Sequence, residues 1–350
     1  MRNSKEKQVL TDILKTLRPS GNERDGLDYM ADRLKLIGAH KVTFDKIGNL
    51  TSVFSLPDEF DAGYENVMLS AHLDEIGFQV LNITKEGKIA VAPLGGIDKR
   101  TLIGSKVMFE NGAIGIIGAD PIHVIDGKDR GKLGNMEEFL VDVGARSDIE
   151  VTRYFKVKIG DTLGYSKDNL DAYFGRKYNY IVGPGLDDGV GLYIIQKVAR
   201  DIKKAGCGGR SLFVCCAAQE EVGLRGAGIL AKRLNPSLSI DIDLTPEEGN
   251  PNKYGKIKMG KGVVIEFGPS KSKYLGQRLI ELAKKHKIPY QTCVGTACNT
   301  NTAIIQEMSW NCETTLLSIP SRNLHTQVEM CCWSDIEACI KLLTKFLNGE

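Results

Sequence analysis

Five groups of histidine and carboxylate residues each follow a short apolar run that is typical of a β-strand. In chain order they are His72 with Asp74, Asp187 with Asp188, Glu220 with Glu221, Asp243, and His325. In open α/β sheets, catalytic and ligand-binding groups collect just beyond the carboxyl ends of the strands. Two histidines with several carboxylates form the ligand set of a hydrolytic site with two metal ions, and zinc is the first ion we expect.

His72 and Asp74 are two positions apart at the end of VMLSAHLDEIG. In an extended chain such residues point to the same side. The carboxylate could therefore accept a hydrogen bond from the second imidazole nitrogen and fix the tautomer of a metal-bound histidine. A polar loop without a metal is the alternative, since a His-x-Asp triplet alone is common by chance.

Two of the groups are pairs of adjacent acids. Asp187 and Asp188 lie in the glycine-rich turn GPGLDDGVG before an apolar helix, where one carboxylate could bridge two cations or could merely cap the helix. Glu220 and Glu221 close the run LFVCCAA. Adjacent acids repel each other unless a cation lies nearby, in which case one is a metal ligand and the other a general base. A solvated strand end is the alternative for this second pair.

Asp243 shares one face of LSIDIDLT with Asp241, and burying both without partners would be costly. Asp243 is the better ligand candidate because it lies nearer the carboxyl end of the strand. His325 follows LLSIPSR and could equally have a structural role. The histidines without acidic neighbours at a strand end are interpreted as structural: His40, His123 and His286.

Composition excludes several classes of protein. The 350 residues include 46 Lys and Arg and 44 Asp and Glu, so there is no basic excess that would indicate nucleic-acid binding. No apolar run is long enough to span a membrane, and the first residues lack the apolar stretch of a secretory signal. Nine cysteines, an odd number with two adjacent pairs, favour reduced thiols and a cytoplasmic location.

The elements that must position these groups are of two kinds. Residues 4–37 predict two helices around Pro19-Ser20-Gly21, followed by strands at 41–45, 50–55 and 66–71. Beyond residue 175 strands alternate with helices, which indicates a mostly parallel or mixed sheet. The predicted helices there are 188–203, 225–234, 271–287, 301–308 and 334–347, the last with a capping box formed by Ser334 and Glu337.

Residues 76–174 differ from the rest of the chain. Short alternating runs replace helical periodicity, and we expect no helix in this segment. Glu86-Gly87 and Asn111-Gly112 separate runs as hairpin turns would. The sequence therefore predicts an α/β domain formed by 1–75 and 175–350, interrupted by a β-rich module at 76–174.

With the order HxD, DD, EE, D, H in place, the chain resembles the family-42 metallopeptidases, the tetrahedral and glutamyl aminopeptidases, over essentially its whole length. Further segments that look like this family are PSGNE (19–23), PLGGID (93–98), PIH (121–123), GLRGA (223–227) and IPSRNLHTQVEM (319–330). The resemblance implies a mixed-sheet exopeptidase fold with a dinuclear metal site and an inserted all-β domain. It also implies a cis peptide bond after Asp187.

The resemblance also implies a role for each site residue. Asp187 would bridge two divalent ions, zinc first with cobalt or manganese as alternatives, and Glu220 would be the general base. Asp74 would orient His72. The remaining ligands would divide between the ions as His72 with Asp243 and Glu221 with His325. The implied enzyme is an aminopeptidase that removes N-terminal residues from short peptides through a metal-bridging water.

Quaternary structure follows from the same resemblance. The insert would be a dimerisation domain, and dimers would assemble into a tetrahedral dodecamer.

Two segments depart from the family: CNTNTA has Asn301 where an aspartate is usual, and TPEEGNPNKYG replaces a run of small residues after Asp243. Alternative functions are another hydrolase on the same scaffold, such as a deacylase or glucanase, and a catalytically silent assembly protein.

Overall fold

The computed structural model describes residues 2–55, 65–120, 123–124, 126–127, 132, 139–168, 179–247, 253–254, 256–296 and 300–350. Three of the family-related segments named above lie partly outside these residues. PIH lacks Pro121 and Ile122, CNTNTA lacks Cys298 and Asn299, and TPEEGNPNKYG lacks most of the stretch 248–255. The described chain forms an α/β domain and a separate β-barrel, each with its own hydrophobic core.

The α/β domain is built on a mixed sheet of eleven strands within the described residues. Nine follow the order β1-β2-β11-β3-β12-β16-β14-β15-β13, while β17 pairs with β16 and β10 pairs with β17. The strands are β1 Lys41–Phe44, β2 Leu50–Ser55, β3 Asn66–His72, β10 Tyr180–Gly183, β11 Ser211–Ala217, β12 Leu238–Pro246, β13 Lys253–Tyr254, β14 Val263–Phe267, β15 Tyr290–Gly295, β16 Glu313–Arg322 and β17 Glu329–Cys332.

Four neighbouring strands at the centre, β11, β3, β12 and β16, run parallel. Strand β3 is buried from its second residue to its last, as expected for a parallel strand covered on both faces. Its alternate residues enter different cores: Leu69 packs in the main cluster and Met68 in the cluster on the opposite face. Because the four strands are parallel, their carboxyl ends meet at one edge of the sheet, and both faces of the sheet are buried.

Helices cover both faces of this sheet. One layer contains α4, which packs on β3 and β12, with α1, α2, α6 and α8 around it; the other contains α5 and α7. The helices are α1 Arg2–Lys15, α2 Arg24–Ile37, α4 Leu186–Ala205, α5 Arg225–Leu234, α6 Lys273–Lys285, α7 Asn301–Met308 and α8 Trp333–Leu347. Gly38 ends α2 in the left-handed conformation and donates to the last turn of that helix.

The inserted module is a closed antiparallel barrel in the order β4-β5-β8-β7-β6-β9. Its strands are β4 Gly77–Ile83, β5 Lys88–Leu94, β6 Lys106–Phe109, β7 Ile114–Ile117, β8 Leu140–Asp142 and β9 Thr162–Tyr165. The β4–β5 and β6–β7 hairpins turn at the predicted glycines, Gly87 and Gly112, both with positive φ.

The expected fold class is confirmed: a mixed α/β sheet carries a separate all-β module. Two local predictions were wrong. The insert contains a helix, α3 Asp148–Arg153, which is too short to show periodicity but is capped by the Ser147 side chain. The capping box of Ser334 and Glu337 does not form: helix α8 begins at Trp333, so Ser334 lies inside the helix, and Glu337 accepts a hydrogen bond from the indole of Trp333.

Among the described residues, no helix combines the length and the apolar character that crossing a membrane requires.

Candidate metal centre

The predicted ligands converge at the carboxyl edge of the parallel strands. His72 is the last residue of β3, Asp243 lies near the end of β12, and Glu221 follows β11. His325 comes three residues after β16, which is the next parallel strand. Asp187 reaches the same edge from the start of α4, the helix that packs beneath β3 and β12.

Asp187 lies between the two imidazoles. Its Oδ1 is 2.9 Å from His72 Nε2, and its Oδ2 is 3.3 Å from His325 Nε2. One carboxylate thus presents a separate oxygen to each histidine, which is the arrangement that a bridge between two cations requires. The Asp187-Asp188 peptide bond is cis, as the resemblance implied.

Among the residues that the structure describes, three sets of donor atoms lie close enough to hold a metal ion. They are His72 with Asp187 and Asp243, Asp187 with Glu221 and His325, and His72 with Glu220 and Glu221. Within each set the donor atoms all lie within 4.8 Å of one another. Asp187 belongs to two of the sets, so the first two describe adjoining sites that share a ligand.

Both histidines hold Nδ1 against a main-chain oxygen and turn Nε2 towards the carboxylates. Nδ1 of His72 lies 2.9 Å from the main-chain oxygen of Asp74, and Nδ1 of His325 lies 2.8 Å from that of Gly96. A carbonyl oxygen can only accept, so each Nδ1 carries the proton. Each Nε2 faces carboxylate oxygens and donates to them while it is protonated; a bound cation would replace that proton, as in metal-bound histidines whose other nitrogen is held by a carbonyl.

The carboxylate of Asp74 makes other contacts than the one expected of it. It lies 3.6 Å from His72 Nδ1, but Oδ1 accepts a 2.8 Å hydrogen bond from the main-chain N–H of Glu220. Oδ2 accepts from the N–H of Glu221 at 3.1 Å and from the Ser20 hydroxyl at 2.6 Å. The main-chain oxygen of Asp74 orients the imidazole, and its carboxylate holds the segment that carries both glutamates.

The electrostatics of the cluster suit divalent cations. Burial raises the pKa of Glu220, Glu221 and Asp243, and neighbouring carboxylates raise it further. Burial opposes protonation of His325, yet hydrogen bonds to Asp187 and Glu221 raise its pKa to about 12. The carboxylates of Asp187, Glu220, Glu221 and Asp243 outnumber the two imidazoles that face them, and hard oxygen donors with imidazole nitrogens fit zinc, cobalt or manganese.

Two nearby acids remain outside the donor sets. Asp188 accepts hydrogen bonds from the main-chain N–H groups of Gly191, at 2.8 Å, and His72, at 3.3 Å, so it supports the first turn of α4. Asp241 accepts a 2.5 Å hydrogen bond from Ser70. The choices between Asp187 and Asp188, and between Asp243 and Asp241, thus follow from which carboxylate faces the imidazoles.

The other histidines lie apart from this cluster. The ring of His40 is 3.3 Å from Lys203 Nζ, His286 pairs with Glu350, and His123 is exposed. None of the three belongs to a donor set within the described part of the chain.

The barrel contributes directly to the site through Gly95 and Gly96, which follow β5. A Cβ on Gly95 would lie 3.1 Å from Glu221 Oε2, and one on Gly96 would lie 3.2 Å from His325 Nδ1. The segment therefore approaches both ligands closely, and the Gly96 carbonyl fixes the His325 ring. The sequence prediction treated the insert only as an assembly domain.

Two buried acids near the site were not predicted. Glu329 accepts hydrogen bonds from the main-chain N–H groups of Asp187 and His325. Glu23 accepts from Gly21 and lies near Asp74, and burial raises its pKa to about 7. In the sequence, these two glutamates are distinguished only by lying in the segments PSGNE and IPSRNLHTQVEM. Their hydrogen bonds are to main-chain N–H groups, which no pattern of side chains reveals.

Known proteins resemble this chain over most of its length. The sequence profile of the M42 glutamyl aminopeptidases matches residues 54–342. A lysyl aminopeptidase from Pyrococcus furiosus is 33% identical over 353 residues, which cover 97% of this chain and 96% of the relative.

Solved structures share the fold. A TET aminopeptidase from a marine-sediment Thaumarchaeota archaeon superposes with a TM-score of 0.89 and 25% identity, covering 99% of this chain and 97% of the other. The TET1 peptidase of Pyrococcus horikoshii gives 0.83 and 29%, covering 97% and 98%; that protein can assemble into a tetrahedron or a large octahedral shell.

Proposed function

The chain belongs to the M42 glutamyl aminopeptidase family and is an aminopeptidase, and we propose that it hydrolyses the N-terminal residue of short peptides with two divalent metal ions per subunit. The observation that carries the dinuclear part of this proposal is the placement of Asp187. Its two carboxylate oxygens face two histidines that belong to different donor sets.

The proposed ligands are His72 and Asp243 for one ion, Glu221 and His325 for the other, and Asp187 for both. When bound, ions such as Zn²⁺, Co²⁺ or Mn²⁺ would lower the pKa of a shared water and stabilise negative charge on the scissile carbonyl oxygen. The remaining chemistry belongs to the residues of the chain.

Glu220 is the proposed general base. It lies in a donor set with His72 and Glu221, and its main chain is fixed by Asp74. Its carboxylate would take a proton from the attacking water and pass it to the leaving amine. A carboxylate on a fixed main chain beside the proposed ions suits this role because it stays within reach of the water.

The other candidate functions fit the geometry less well. A glycosidase needs two carboxylic acids that flank the sugar bond and no obligatory metal pair. Here the carboxylates are instead grouped around imidazole nitrogens. A silent assembly protein would have no reason to hold Nδ1 of both histidines on main-chain oxygens so that each Nε2 faces the carboxylates.

Assembly into a homo-oligomer is also proposed, since structural relatives form dodecamers and tetrahedral shells. We propose that the barrel supplies the dimer contact and that dimers form a tetrahedral dodecamer. The native mass from light scattering tests the oligomer, and a monomer would refute it. Deleting residues 76–174 is a poor test of the dimer contact, because the deletion also removes Gly96 from the metal site.

A cytoplasmic location stays a prediction from the cysteine pattern.

The experiment that tests the enzymatic proposal replaces Glu220 by Gln, which is nearly isosteric but cannot shuttle a proton. We expect turnover of aminoacyl chromogenic substrates to fall by about 10²- to 10⁴-fold while two ions remain bound. Chelation should abolish the activity of the wild type, and adding back Zn²⁺, Co²⁺ or Mn²⁺ should restore it. A Gln variant that keeps more than about a tenth of the wild-type rate would refute the general-base role.

A further inference from the structure

Glu329 connects the main chains of two proposed metal ligands. Its Oε2 accepts a 3.1 Å hydrogen bond from the N–H of Asp187, and its Oε1 accepts a 2.8 Å hydrogen bond from the N–H of His325. The residue is 1% exposed, and neither of its oxygens lies in a donor set. It therefore contacts the ligands through their backbones rather than competing for the ions.

The two backbones that Glu329 holds are irregular. His325 has a φ of 60°, in the left-handed region that costs a residue other than glycine about 1–2 kcal/mol. Asp187 has extended backbone angles, φ −83° and ψ 109°, although helix α4 surrounds it. Neither N–H therefore belongs to a regular helix or strand ladder, and each needs a buried acceptor.

Glu329 is well placed to supply both acceptors from a rigid element. It is the first residue of β17, which pairs with β16 on one side and with β10 on the other. Strand β16 precedes His325, and β10 precedes Asp187; within the ladder Glu329 lies opposite Gly183. One strand thus anchors a carboxylate between the two loops that deliver these ligands.

We propose that Glu329 is a positioning residue that sets the separation of Asp187 and His325, and hence the affinity of the ion they would share with Glu221. This inference rests on the proposed dinuclear function. The carboxylate is required as such, because the amide of a glutamine at this position offers one acceptor and one donor. A donor cannot satisfy a main-chain N–H, so one of the two ligand loops would lose its contact.

Asp335 provides a matched control. It is also buried and its two oxygens also accept from two main-chain N–H groups, those of Gly260 at 2.6 Å and Gly262 at 2.7 Å. Neither glycine is a proposed metal ligand. Asp335→Asn therefore imposes the same local loss as Glu329→Gln at a place where only folding stability should respond.

The experiment compares wild type, Glu329→Gln, Glu329→Asp and Asp335→Asn by equilibrium dialysis against Zn²⁺ and Co²⁺, with circular dichroism to establish that each is folded. We expect Glu329→Gln to raise the dissociation constant of one ion by about 10- to 100-fold. Glu329→Asp, which keeps the charge but withdraws it by one methylene, should show a smaller rise. Asp335→Asn should bind both ions like the wild type. The increase in Tm on adding metal should shrink for both Glu329 variants and stay unchanged for Asp335→Asn.

The outcomes separate this inference from the proposed function. If wild type binds two ions and folded Glu329→Gln binds both with unchanged affinity, the positioning role is overturned and the dinuclear proposal stands. If both Glu329 variants fail to fold in metal-saturated buffer, Glu329 serves the fold and the inference is again overturned. A wild type that binds no ion would overturn both.

Discussion

Asp74 and Glu220 are joined by a 2.8 Å hydrogen bond in which the Asp74 carboxylate accepts the main-chain N–H of Glu220. This contact is shorter than the 3.6 Å between the same carboxylate and the imidazole of His72. The imidazole donates instead to the main-chain oxygen of Asp74. The Asp74 side chain, which was expected to orient His72, is therefore placed to position Glu220, the proposed base.

Replacing Asp74 by Asn should lower kcat more than metal affinity. Asparagine retains one acceptor oxygen, so it cannot serve the N–H groups of Glu220 and Glu221 together with the Ser20 hydroxyl. We expect kcat to fall about 10- to 100-fold through displacement of Glu220. Ser20→Ala, which removes one contact to the same carboxylate, is the control and should have a smaller effect. If kcat is unchanged and only metal affinity falls, Asp74 acts through His72 alone.

Replacing Asp187 by Ala should weaken both ions together, because its two oxygens face histidines of different donor sets. Asp243→Ala is the comparison, since Asp243 belongs to only one set. Equilibrium dialysis should show two weakened sites for the first variant and one for the second. One weakened ion in the Asp187 variant would make it a terminal ligand.

The sequence predicted where the proposed ligands lie because the rule behind that prediction is topological. Parallel strands deliver whatever follows them to one edge, so His72, Asp243 and Glu221 had to meet once the strands were recognised. The bounds of α5 and α7 were also predicted correctly, at 225–234 and 301–308.

What the sequence could not predict are contacts made by main-chain atoms. Glu329 and the carboxylate of Asp74 bind N–H groups, and Gly96 binds His325 through its carbonyl. Every residue carries these groups, so no residue type or spacing identifies them. The short helix α3 escaped prediction for a related reason, since its six residues are fixed by one cap rather than by periodicity.

Replacing Gly96 by Ala should disturb the metal site from within the barrel. The new Cβ would lie 3.2 Å from His325 Nδ1, so the ring or the loop must move and the hydrogen bond to the Gly96 oxygen weakens. We expect metal affinity to fall about tenfold. Gly118→Ala is the matched control in the same module, because nothing lies within 4 Å of its Cβ position. Equal affinities in the two variants would show that the barrel does not tune the site.

Glu23 should make folding stability depend on pH. Burial raises its pKa from 4.5 to about 7, so between these values the unfolded chain releases a proton that the folded chain keeps. Its contribution to stability is therefore full at low pH and is lost as pH rises towards 7. Between pH 5 and 8 the stability of wild type relative to Glu23→Gln should fall by about 2 kcal/mol. If the difference in the free energy of urea unfolding between the two proteins does not change from pH 5 to pH 8, the raised pKa of Glu23 is contradicted.

Asn301 and Asp241 form a buried pair of one amide and one acid. Asn301 is the residue that departs from the usual aspartate of the family, and its side chain is 1% exposed beside Asp241. Burial raises the pKa of Asp241 to about 7, and the Ser70 hydroxyl and the Asn301 amide oppose that rise, although Asn301 Nδ2 and Asp241 Oδ2 do not reach full hydrogen-bond geometry. A second carboxylate at this position would place two acids together in a dry site.

Asn301→Asp should therefore destabilise the protein at pH 8 by roughly 2–5 kcal/mol in urea unfolding. The exchanged double variant, Asp241→Asn with Asn301→Asp, restores one acid and one amide, and Ser70 can still donate to the amide oxygen at position 241. It should recover most of the loss, giving an interaction energy of about 0.5–3 kcal/mol in the double-mutant cycle. Additive effects of the two substitutions would show that the residues do not sense each other, and the departure at Asn301 would then need an explanation outside this pair.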